Sequence, residues 1–173
     1  MNWKFWQAAD GDASTGNLIV RAGIGAIAAY FVIVLLLGWW WDYEPDLFDA
    51  RTNAMEHAQE KNRELVTGYI TTTTLITLAE TLLDKRGGYL SNDLFPPGVW
   101  MDNVPNWEFG VLTQVRDAAR SFRNEFSRSH SQSVEDEDLR EAEGKFFFDK
   151  SSWALPHSES ETRSGVRYLE AYL

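Results

Sequence analysis

Three carboxylates, Asp93, Asp102 and Glu108, surround an aromatic stretch, PPGVWMDNVPNW. Two carboxylates facing each other across an aromatic cleft serve as general acid and base on a glycosidic bond. The plainer reading has Asp93 and Asp102 in Asx-turns and Glu108 at the positive end of a helix. His57, His130 and His157 lack the spacing of a zinc site, and there is no cysteine to supply a thiolate ligand. His130 sits between Ser129 and Ser131 in SRSHSQS, yet a catalytic triad is recognised by geometry rather than adjacency, and no Gly-x-Ser-x-Gly elbow occurs. Glu135 to Asp138 are four consecutive acids, which diverge on a helix start and lack the alternation of a calcium loop. Gly87-Gly88 lacks the preceding strand and the Gly-Lys-Ser/Thr ending of a phosphate loop. No metal or cofactor site is legible.

A second group of residues suits binding rather than catalysis. Trp39, Trp40 and Trp41 stand together, and Tyr89, Phe95, Trp100 and Trp107 recur through residues 89–107. Large amphipathic rings of this kind anchor binding interfaces. Gly23, Gly25 and Ala29 give one segment a small-residue side that permits close helix packing.

These residues need elements to position them. Ala22 to Trp41 carries no charge over twenty residues. At about 1.5 Å per residue that spans about 30 Å, the hydrocarbon thickness of a bilayer. A soluble core helix would show a polar face, and a signal peptide would have a shorter apolar run and a small-residue cleavage site. Trp39–Trp41 and Tyr43 stand there instead and mark an interface. The expectation is a transmembrane helix over 18–41.

Lys4 and Arg21 lie on the N-terminal side of the uncharged run, while Asp42, Glu44, Asp46 and Asp49 follow it. The positive-inside bias places the N-terminus in the cytoplasm and the rest of the chain in the periplasm. Lys4 and Arg21 cancel Asp10 and Asp12, so the whole net charge of -10 lies in residues 42–173. An acidic domain excludes nucleic acid as a partner, since phosphate binding needs clustered basic residues. It also disfavours lying flat on anionic lipid.

The organisation that follows is a cytoplasmic stub over 1–17, the membrane helix over 18–41, a linker and polar helix over 42–66, and an acidic helical domain over 67–173. In the stub, NWKFW suits a short interfacial helix. Asp49 is placed to cap a solvated helix running to Val66. Residues 71–85 carry Leu75, Leu78, Ala79 and Leu82 at helical spacing, which outweighs the strand preference of four threonines. Residues 86–106 hold three prolines and three glycines among many apolar residues, which predicts a long ordered loop. A helix over 107–128 carries the stripe Leu112, Val115, Ala119, Phe122 and Phe126, with Asn106 as its cap. Arg116, Arg120 and Arg123 share one of its faces. Ser133 opens a further helix, and Ser158 to Glu161 forms a capping box before a last helix with Val166, Leu169 and Leu173 inward. That helix stops without a C-cap, which predicts a natural chain continuing past Leu173. The fold class is all-α.

The strings LLDKRGGYLSND, PPGVW, NVPNWEFGVLTQVRD and SWALP resemble the uncharacterised bacterial family known as domain of unknown function 2333, over roughly residues 40–173. The resemblance implies an envelope protein of Gram-negative bacteria with one N-terminal membrane segment. It implies no activity. The combined expectation is a non-catalytic subunit or assembly factor of an inner-membrane complex, with other membrane subunits and the lipid bilayer as partners. A periplasmic glycan hydrolase using carboxylates of the 89–108 loop is the alternative.

Overall fold

The computed structural model describes residues 9–126 and 135–173. Among the described residues there are six α-helices and no strand. The fold is therefore all-α, as expected. Helix α1 spans Ala9–Trp41, α2 Ala50–Lys61, α3 Tyr69–Asp84, α4 Asn103–Ser121, α5 Glu137–Phe146 and α6 Ser158–Tyr172. A short 3-10 turn occupies Gly98–Trp100, and α4 ends in a π-helical turn over Phe122–Phe126.

Within α1, Thr15–Trp41 is long and apolar enough to cross a membrane. Its helical hydrogen bonding continues towards the N-terminus to Ala9, so half of the expected stub is helix. The NWKFW segment lies outside the described residues, as do His130 and Ser133.

The core is a bundle of the last four helices. Leu75, Ile76 and Ala79 of α3 meet Val115 and Ala119 of α4, Leu139 and Phe146 of α5, and Val166 and Leu169 of α6. The threonine run of α3 stays helical because its spacing buries Leu75, Ile76, Ala79, Leu82 and Leu83 on one side. Thr74, Thr77 and Thr81 donate their hydroxyls to the carbonyls four residues earlier, which satisfies them without a sheet. Thr72 and Thr73 are buried with no partner for their hydroxyls.

Four boundaries differ from the sequence expectation. Helix α2 stops at Lys61 because Asn62 adopts the left-handed conformation (φ 52°) and closes the end, Arg63 N donating to Ala58 O at 2.8 Å. It is also not fully solvated, since Ala54 and Ala58 are buried on Tyr69. Helix α4 begins at Asn103 rather than Trp107. Pro105 falls in its first turn, where a missing N–H costs nothing, so Asn106 lies inside the helix and Asp102 takes the cap position. Helix α5 is capped by Asp136, whose carboxylate accepts from Leu139 N at 3.0 Å. Helix α6 is preceded by His157, and the capping box does not form: buried Ser158 donates to Asp149 O, and Glu161 pairs with Lys145 at 2.8 Å.

The three arginines on α4 hold α5. Arg116 donates to Phe146 O and Phe148 O, both at 2.7 Å, and so caps the end of α5. Arg120 and Arg123 bracket Glu143, and Arg123 also meets Glu135. Phe126, expected on the inward stripe, is exposed. It follows the change to π-helical winding and stacks on Phe122 instead.

Candidate functional site: the braced aromatic loop

The loop between α3 and α4 is organised from Glu108. This side chain is 0 % exposed, and both of its carboxylate oxygens are filled. It accepts from Leu90 N and Ser91 N, each at 2.8 Å, and from Ser91 Oγ at 2.5 Å. Lys85 Nζ lies 2.5 Å from Oε1, the oxygen that also accepts from Leu90 N, with its side chain 3 % exposed. Lys85 also donates to Gly88 O. The chain can fold back over Lys85 because Gly87 and Gly88 take positive φ angles of 81° and 72°. With a cation and three further donors, this buried carboxylate has no free lone pair aimed at solvent. Glu108 is an anchor for the loop.

Two further ties fix the loop to the α5–α6 connection. Tyr89 is buried and its hydroxyl donates to Lys150 O at 2.9 Å. Burial among these groups raises its pKa to about 12. Asn92 Nδ2 donates to Ser152 O and to Glu159 Oε2, both at 2.9 Å. The stem of the loop is therefore rigidly held, and residues Leu94–Trp100 project from it.

That projecting segment lies against α1. Trp100 stacks nearly parallel on Phe31, with ring centroids 6.3 Å apart. A Cβ placed on Gly38 would stand 3.3 Å from Pro97 Cβ, so the absence of a side chain there admits the proline. One placed on Gly87 would collide with the Trp41 ring at 2.7 Å. Arg86 covers the Tyr43 ring at 3.9 Å. Phe31, Val34, Gly38 and Trp41 fall at i, i+3, i+7 and i+10, a single face of α1. Val34 is the one residue of the apolar span counted as buried. At about 100° per residue, Gly25 and Ala29 lie on the opposite face, and no heavy atom comes within 4 Å of a Cβ built on Gly23 or Gly25.

Of the aromatic residues singled out in the sequence, Trp39, Trp40, Phe95, Trp100 and Trp107 are exposed, Trp41 is half-buried, and Tyr89 is turned inward. The three carboxylates are separated in role. Asp102 is an exposed cap residue and Glu108 is consumed by the loop. Asp93 faces an open cleft of about 240 Å³ lined by Asn92, Leu94, Phe95, Trp153, His157 and Glu159. Burial and the nearby Glu108 and Glu159 carboxylates raise its pKa. Sequence reasoning missed Lys85, Glu159 and Trp153 as parts of this region. The bracketing signal for the first was available, since Lys85 and Glu108 flank the stretch that holds three of the five prolines and the Gly87-Gly88 pair of the loop stem. Nothing local marks Glu159. Among the described residues no group of three or more His, Asp or Glu side chains is placed to hold a metal ion.

Nothing among curated proteins and nothing among solved structures matches this chain. A family model described as an uncharacterized protein conserved in bacteria matches residues 14–173. The match reaches further towards the N-terminus than the motifs did and takes in the apolar helix together with the bundle. The chain belongs to this family, DUF2333.

Proposed function

We propose that this protein is a membrane-anchored, non-catalytic subunit or assembly factor of a bacterial inner-membrane complex, with its N-terminus cytoplasmic and its helical domain periplasmic. The observation that carries the reading is the bracing of the domain onto α1 through Trp100–Phe31, Pro97–Gly38, Gly87–Trp41 and Arg86–Tyr43. An enzyme tethered for convenience needs only a linker. A domain docked in one orientation on an apolar helix suits a part with neighbours on fixed sides. The opposite face of α1, with Gly25 and Ala29, is open for another helix. Lys4 and Arg21 on the N-terminal side of the uncharged run, against Arg51 as the first basic residue after it, support the stated orientation.

Full-length tagged protein extracted from native membranes in mild detergent should then co-elute with a stoichiometric set of membrane proteins. Gly25→Leu combined with Ala29→Leu should deplete that set without lowering the amount of anchored protein. A chain that elutes alone and unchanged by the double substitution overturns the reading.

A glycan hydrolase is a second reading, and the Asp93 cleft is what favours it. Its raised pKa suits a general acid, with Trp153 exposed beside it as a sugar platform. Lysis of purified cell wall by wild type and not by Asp93→Asn would establish it. Equal inactivity of both is the outcome expected here.

A further inference from the structure

We infer that the loop Leu94–Trp100 is a second membrane contact, seated among lipid acyl chains beside α1 in the leaflet on the domain side. This rests on the proposal that α1 spans a bilayer. The apolar span is Thr15–Trp41, and a hydrocarbon core takes up about 20 residues of helix. Any window of that length inside 15–41 contains residues 22–34, and so contains Phe31 and Val34. Phe31 therefore lies about 5–15 Å inside the hydrocarbon edge on the domain side, at about 1.5 Å per residue. Trp100 is stacked on it and shares its depth.

The composition of the loop suits that depth. No residue from Leu94 to Met101 is charged, while Asp93 and Asp102 stand at its two ends. Phe95 is 78 % and Trp100 57 % exposed, and Leu94 and Val99 are exposed beside them. Four large apolar side chains on one rigid tip are costly in water and favourable in lipid. Non-helical backbone at membrane depth must satisfy its own polar groups. Pro96 and Pro97 have no N–H to satisfy. Val99 N donates to Phe95 O, Trp100 N to Pro97 O and Met101 N to Gly98 O, at 2.9–3.3 Å. The partner is lipid rather than a second protein because the tip continues the surface of an apolar helix that lipid must already surround. The surrounding domain is acidic, so the attraction is apolar and should not depend on anionic lipid.

The chain has no cysteine, so single labels are simple to place. Val99→Cys, Leu36→Cys and Gln59→Cys in the full-length protein, each carrying an environment-sensitive fluorophore, would be reconstituted into phosphatidylcholine vesicles containing doxyl-labelled lipid. Phe95→Cys provides a second loop position. The inference expects blue-shifted emission at positions 99 and 95, quenched by doxyl lipid several-fold more than at position 59 and comparably to position 36. Quenching at 36 with water-like emission at 99 and 95 overturns the inference and leaves the anchor intact. Blue-shifted emission at 99 and 95 without lipid quenching means cover by a second copy and also overturns it. Absence of quenching at 36 means that α1 is not in the bilayer, and the anchoring proposal fails with it.

Discussion

Glu108 and Lys85 show how one buried pair can set the shape of twenty residues. Glu108 accepts from two backbone amides and a serine of the loop while Lys85 neutralises it, so neither charge is left unpaired. Removing one partner leaves the other buried and uncompensated, at a cost of about 3–5 kcal/mol. Lys85→Met or Glu108→Gln should lower stability by that order in denaturant unfolding, and Lys85→Met with Glu108→Leu should cost less than the sum of the single changes. The buried hydroxyl of Thr73 has the opposite sign. It has no partner, so Thr73→Val should raise stability by about 1 kcal/mol, read as a higher denaturation midpoint. Tyr89 supplies a pH dependence. Its folded pKa of about 12 is above the free value of 10.0, so its contribution stands in full below the free value. It is lost as pH rises through about 12. Tyr89→Phe should flatten the alkaline limb of the stability profile between those two values.

Among the elements, the loop is the one whose conformation is least forgiving. A Cβ on Gly98 would stand 2.1 Å from Asp93 Oδ2 and 2.6 Å from its Cβ. Gly98→Ala should therefore destabilise the protein, and Asp93→Ala should recover part of the loss, a coupling that a double-mutant cycle measures. Helix α4 shows why its start was misplaced. Pro105 marks an irregular stretch by its residue type alone, but a proline in the first turn removes an N–H that has no helical partner. The aromatic residues were legible as a group, whereas their fates were not. Tyr89 and Trp100 belong to the same loop, and one is buried under Lys150 while the other lies on α1.

At the scale of the whole molecule, the bundle and the apolar helix are joined along one face of α1, by Phe31, Val34, Gly38 and Trp41. The small-residue side formed by Gly25 and Ala29 faces away from the domain. The domain thus occupies one side of the helix and leaves the other open, the side that the proposed partner helix would take. Orientation is directly testable. In intact cells with a permeable outer membrane, a membrane-impermeant thiol reagent should label Gln59→Cys, which is exposed on α2, and should leave a cysteine introduced at Gln7 unlabelled until the inner membrane is broken. The reverse pattern would invert the proposed topology.

The order of the helices, the apolar span and the acidic character of the domain followed from local signals, because hydrophobic periodicity, run length and charge are properties of short windows. The stripe of α3, the arginine face of α4 and the Asp49 cap of α2 were legible for the same reason, the last confirmed by Thr52 N donating to Asp49 at 2.8 Å. What no window contains is the partner of a side chain far away in sequence. That Glu108 would face Leu90, Ser91 and Lys85, that Asn92 would reach Ser152 and Glu159, and that Trp100 would lie on Phe31 depend on how α1, α4 and the α5–α6 connection come together. Burial and pairing of a charge are collective properties of the packed chain. Tertiary structure alone therefore decided which carboxylate is an anchor, which faces a cleft, and which aromatic rings remain outside.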